Sequence, residues 1–169
     1  MLRKIGFFKK SSQKNFNKTV ADANRMCKEI ISEKLSHLNI DPDYIYSTSE
    51  AMEELGLDNE LIHQLLEDYV IQIIKSTLQF DAYLDVLELF RDSNRKLDYT
   101  PLRELAHKNL GVARNLRIKN AEIILYELMK KDDIEYLRVC LEALRMCAVK
   151  LKPSCAYKTL KLIDVKSSL

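Results

Sequence analysis

The strongest constraint on the fold lies between residues 102 and 151, where three consecutive apolar seams repeat every three to four positions. The first is Leu102, Leu105, Asn109, Val112 and Leu116, with one asparagine among its apolar members. The second is Ile118, Ala121, Leu125 and Leu128, and the third is Ile134, Leu137, Leu141, Leu144, Ala148 and Leu151. Such spacing marks one stripe of an α-helix. Narrow stripes joined by short turns specify antiparallel neighbours in an up-and-down bundle. At Lys130-Lys131-Asp132-Asp133, lysines close one helix and acids open the next, as the helix dipole prefers. Thr100 followed by Pro101 reads as a cap and a helix start, and Pro153 as a stop.

The rest of the chain carries the same period less densely. Val20, Ala23, Met26, Cys27, Ile30, Ile31 and Leu35 place a helix over about residues 17–38. Residues 39–46, with Pro42, form a connector. Ser47 and Glu50 have the spacing of a capping box, and Gly56 ends that short helix as its C-cap. Asp58 then caps a long segment running through Leu61, Leu65, Ile73, Leu84 and Leu87 to about Asn94, with a break near Gln79–Asp81 left open. A final short helix covers Ala156 to Val165. With only 3 Gly and 3 Pro in 169 residues, the chain lacks the breakers that hairpins and phosphate-cradling loops consume. Gly6, Gly56 and Gly111 are too far apart for G-x-x-x-x-G-K-[ST] or G-x-G-x-x-G, which excludes nucleotide binding by either loop. The fold class is all-α.

Net charge is +2, but Arg3, Lys4, Lys9, Lys10, Lys14 and Lys18 crowd the first 18 residues without an acid, leaving a mildly acidic body. This basic head reads as a solvated tail rather than a nucleic-acid or membrane contact. No apolar stretch approaches the ~18 residues of a membrane span. Ile5, Phe7 and Phe8, set between lysines, do not make a secretory leader. Four cysteines without C-x-x-C spacing, Cys140 and Cys147 among them as small core hydrophobes, fit a reduced, cytoplasmic protein. His37, His63 and His107 show no metal-ligand spacing, so no metal site is expected. His63, beside Ile62 and Leu66, reads as packing, and His37 as a match for the C-terminal dipole of the first helix. Tyr44, Tyr46, Tyr69 and Tyr83 read as edges of the core.

His107 stands apart. At ~100° per residue, with Leu102 at 0°, the first seam falls near 280–340° and His107 near 140°, facing solvent. Its helical neighbours are Arg103, Leu110, Gly111 and Arg114. A glycine inside a helix costs about 1 kcal/mol relative to alanine, and here its bare backbone clears an approach to the imidazole. Two guanidiniums suit a doubly charged phosphoryl group. Imidazole as a side chain is a nucleophile near neutral pH. These residues describe either a histidine that accepts phosphate from a partner docked on the helix or a surface histidine beside an incidental glycine.

The stretch Ala106-His107-Lys108-Asn109-Leu110-Gly111-Val112-Ala113-Arg114-Asn115-Leu116 resembles the signature of histidine-containing phosphotransfer (HPt) domains, roughly A-H-x-L-K-G-x-A-x-x-L. Asp98 and Leu102 match the acidic turn and leucine that precede that histidine, residues 55–62 resemble the start of the family's long second helix, and residues 120–132 its hairpin arm. The resemblance spans about residues 41–150. Asn109 replaces a core leucine, and Leu110 replaces the lysine near the phosphoryl group. The resemblance implies an antiparallel four-helix bundle of HPt type over 41–150. To this the chain adds a basic segment and extra helix over 1–38 and a short C-terminal helix and tail over 151–169. It also implies that His107 takes a phosphoryl group from a response-regulator receiver aspartate and passes it on. The protein would have no kinase activity or cofactor of its own, because the receiver brings the Mg²⁺, and a hybrid histidine kinase is a further possible partner. The docking strip would comprise Arg103, Lys108, Leu110, Gly111 and Arg114, with Leu110 offering an apolar contact. The alternative is an HPt-like adaptor that binds signalling proteins without being phosphorylated.

Overall fold

The computed structural model describes residues 13–167, and all regular structure among them is helical. The elements are α1 (Gln13–Glu33), α2 (Ser49–Leu55), α3 (Asn59–Asp92), α4 (Thr100–Asn115), α5 (Lys119–Lys130), α6 (Ile134–Leu151) and α7 (Pro153–Ser167). Arg3, Lys4, Lys9 and Lys10 of the basic head lie outside the described residues, as do Ser168 and Leu169.

Local chemistry explains most boundaries. The Asp58 carboxylate accepts the Leu61 N–H at 2.9 Å and starts α3. Gly56 ends α2 at φ +65°, a left-handed geometry suited to glycine, with its N–H on the Met52 carbonyl. Two caps differ from those the sequence suggests. The Ser47–Glu50 capping box does not form. Instead the Ser47 hydroxyl accepts the Ser49 N–H (3.3 Å), while the Glu50 carboxylate pairs with Lys119 of α5 at 3.0 Å. Thr100 is not a cap but the first residue of α4, its N–H held by Asp98 Oδ1 at 3.0 Å. Hydrogen bonds from the Thr100 hydroxyl and then its N–H hold the Asp98 carboxyl below the usual carboxylate value. α3 runs unbroken through Gln79–Asp81, with Phe80 fully buried. Pro153 does stop α6, but it also opens α7, which is longer than the short helix expected because proline suits a helix's first turn.

α3 packs on α4, α4 on α5, α5 on α6, and α6 returns to α3, so these four helices close a ring around one core. α3 and α6 run antiparallel, since rising positions on one meet falling positions on the other. Arg91 pairs with Glu135, Arg138 with Asp85 and Glu88, and Arg145 with Asp81. α1 lies against the outside of α6, and α7 against α3 and α6. The second seam is wholly buried, and the third is buried up to a half-buried Leu151. Each fully buried Leu, Ile or Phe contributes about 1.5–3 kcal/mol, so these seams dominate the energetics. Tyr69 sits in the core rather than at its edge, and burial raises its phenol well above the ordinary value. His37 lies beyond α1, where Tyr136 donates to Glu127 (2.6 Å) and therefore accepts from His37 Nε2 (2.9 Å). Its role is a tertiary hydrogen bond rather than a match for the dipole.

Candidate functional site

α4 buries Leu102, Ala106, Asn109, Leu110 and Ala113 against α3 and α5. On the angular scale used above, that arc runs from about 340° to 80°. It is turned from the expected seam because Leu105 and Val112 pack only half-buried at its margin. His107 remains outside the arc and is exposed, as are Arg103, Lys108, Gly111 and Arg114. Leu110 is different. Only 1% of it is accessible, and it is a core side chain rather than part of the exposed strip. The turn of the buried arc carries it inward, so no partner can use it as an apolar contact.

Gly111 is exposed, and a Cβ built on it would meet nothing within 4 Å. Nothing in the fold requires glycine here. Gly111→Ala is therefore expected to stabilise the protein by about 0.5–1 kcal/mol through helix propensity and reduced unfolded-state entropy. Chemical denaturation measures this, and a destabilised variant would reveal an intramolecular constraint at the position.

Asn109 is 0% exposed and fully engaged. Its Nδ2 donates to the Leu105 carbonyl (2.9 Å) and to Ser76 Oγ (3.3 Å), and its Oδ1 accepts from Gln72 Nε2 (3.2 Å). A buried amide with satisfied donors and acceptor costs little and fixes one register of α4 on α3. Gln72 and Ser76 are not among the residues that the sequence marks as candidates. Their signal was two polar residues four apart on a largely apolar helix. Beside this network an open groove of about 400 Å³ runs between the two helices, with Asp68, Gln72, Lys75, Leu105 and Lys108 on its walls.

The positive charges around His107 are unequally committed. Arg114 Nε lies 3.2 Å from Glu122 of α5, an exposed pair worth little in water and readily exchanged for a stronger anion. The Arg103 guanidinium stands 5.4 Å over the Tyr99 ring, which directs it without neutralising it. His63 meets Lys152 at 2.9 Å on the far stretch of α3, away from α4 in sequence and in packing partner. Among the described residues, no group of three or more His, Cys, Asp or Glu could hold a metal ion, and no helix is long and apolar enough to cross a membrane. Comparison with protein-family models, curated proteins and solved structures finds no significant match.

Proposed function

We propose that this chain is an HPt-type phosphorelay intermediate in which His107 accepts a phosphoryl group from a receiver-domain aspartate and passes it on. One observation carries the reading. An exposed imidazole stands one helical turn from an exposed mid-helix glycine that the fold itself does not need. The contacts of α3, α4, α5 and α6 around one core support the same reading, because they are compatible with the bundle that the resemblance implies. In the forward step an unprotonated ring nitrogen of His107 attacks phosphorus. The acyl-phosphate P–O bond breaks, the N–P bond forms, and aspartate leaves as carboxylate. The Mg²⁺ that screens the phosphoryl charge belongs to the receiver. Arg103, Lys108 and Arg114 supply positive charge around the transferring group, and Gly111 lets the receiver approach. Both proteins would meet in the cytoplasm.

The test is incubation with phosphorylated receiver domains and Mg²⁺. Label should move to this chain as an acid-labile, alkali-stable phosphoryl group. A second reading, a phosphate-free adaptor, draws on the core position of Leu110 where the family has a lysine and on the Arg114–Glu122 pair. Undiminished receiver binding with no label on the chain would favour it.

A further inference from the structure

Two thiols 120 residues apart in the sequence meet where α1 lies on α6. Cys27 Sγ and Cys147 Sγ are 3.8 Å from one another, in hydrogen-bonding contact. Cys27 is buried and Cys147 half-buried. Both line a cavity of about 240 Å³ whose wall also carries His63, Lys150 and Lys152. The cavity has room for a molecule the size of water or peroxide beside both residues. The other cysteines are disposed differently. Cys140 is sealed in the core, and Cys155 donates to the Glu67 carbonyl at 3.6 Å.

We propose that Cys27 and Cys147 form an oxidisable dithiol that a hydroperoxide converts into a disulfide, fastening α1 to α6. A disulfide needs about 2.05 Å between sulfurs, so roughly 1.8 Å must close for the bond to form. The hydrogen bond from Cys147, helped by the Lys150 ammonium and opposed by burial, holds the Cys27 thiol below its ordinary value. The same hydrogen bond, with burial, holds Cys147 above it. Either sulfur of the pair can open the sequence; where it is Cys27, that thiol first gives up its proton. Its sulfur attacks one peroxide oxygen and the O–O bond breaks. The leaving hydroxide takes a proton to become water, and Cys27 becomes a sulfenic acid. The Cys147 sulfur then attacks the Cys27 sulfur. The S–O bond breaks and a second water departs with the Cys147 proton. In total, two thiols lose two electrons and two protons, and hydrogen peroxide is reduced to two waters. The device goes beyond phosphotransfer and does not rest on it.

The experiment treats the reduced full chain with a small excess of hydrogen peroxide and maps its peptides without reduction. The expected product is a monomer lighter by two hydrogens, with two of four thiols lost and the Cys27 peptide joined to the Cys147 peptide. Because the closed loop is long, its Tm should rise by on the order of 5–10 °C, reversibly with dithiothreitol. Cys27→Ser and Cys147→Ser should each abolish the link, while Cys155→Ser leaves it intact. Should a serine variant not fold, differential alkylation of the wild-type chain before and after peroxide reads the same pair. Four free thiols after treatment, sulfinic acid without a link, or links through other cysteines or between chains would overturn the proposal.

Discussion

The His107→Gln variant is expected to take no phosphoryl group from any phosphorylated receiver, while its thermal stability stays within about 0.5 kcal/mol of the parent. The two halves of this expectation have separate causes. Glutamine offers no ring nitrogen with a free lone pair, so the N–P bond cannot form. The side chain at 107 is exposed on α4 and belongs to neither the buried arc nor the Asn109 network, so removing the imidazole leaves the packing as it was. Receiver binding should persist as well, because Gly111 and the surrounding cations are unchanged. Phosphotransfer with a radiolabelled receiver, scanning calorimetry and a binding isotherm on the same preparation check all three. Label on the variant equal to that on the wild type would move the phosphorylation site elsewhere.

Leu110→Ala is expected to cost about 2–5 kcal/mol of stability, the range for truncating a fully buried leucine whose cavity only partly collapses. For a chain of this size each kcal/mol lowers Tm by roughly 2–4 °C, so the midpoint should fall by on the order of 5–15 °C. Domains of this kind are stable by only about 5–15 kcal/mol, so the unfolded fraction should become measurable on mild warming. The outcome separates two roles for one residue. As a docking contact, Leu110 would lower receiver affinity on truncation and leave Tm unchanged. With 1% of its surface accessible, it should do the reverse at temperatures where the variant stays folded.

Leu110 also shows how far the sequence could be read. A 3.6-residue period locates a stripe, but its exact facing depends on which neighbours the helix meets. α4 is wedged between α3 and α5, and the contact rotates its buried arc toward Ala106, Leu110 and Ala113. The small side chains of Ala106 and Ala113 carried little weight beside Leu105 and Val112, although they are what lets the neighbouring helices come close. His107 survived the rotation because it lies well outside either arc. The second and third seams were legible almost residue by residue, since α5 and α6 bury broad faces and a modest rotation does not change their membership. Caps were less legible. Asp58 accepts the N–H three positions on, as its place before the helix suggests, and Asp133, which the sequence marked only as an acid at a helix start, does the same. By contrast, the N-cap position of α2 lies one residue beyond Ser47 and that of α4 one residue before the expected place, with Asp98 holding the Thr100 N–H. Which residues pair across long stretches of chain has no local signature, even where the polar members stand out. The Asn109–Gln72–Ser76 network, the contact of Cys27 with Cys147, and the hydrogen bond between His37 and Tyr136 all depend on which helix lies beside which.

The polar network behind α4 gives the unusual Asn109 a purpose compatible with the site in front of it. A leucine there would pack by size alone. An asparagine held at three points fixes the axial position of α4 on α3, and with it the position of His107, Arg103 and Arg114. A phosphoryl acceptor that works by being presented to a partner's active site benefits from a rigid carrier, because misplacement by about 1 Å can cost 10²-fold in rate.

The most direct measurement is to locate the phosphoryl group itself. After transfer from a phosphorylated receiver, the chain should be kept alkaline, digested and sequenced by electron-transfer fragmentation. A single phosphohistidine is expected, at His107, and it should disappear on brief acid treatment. A phosphoryl group on any other residue, or none after transfer from every receiver of the same genome, would contradict that expectation.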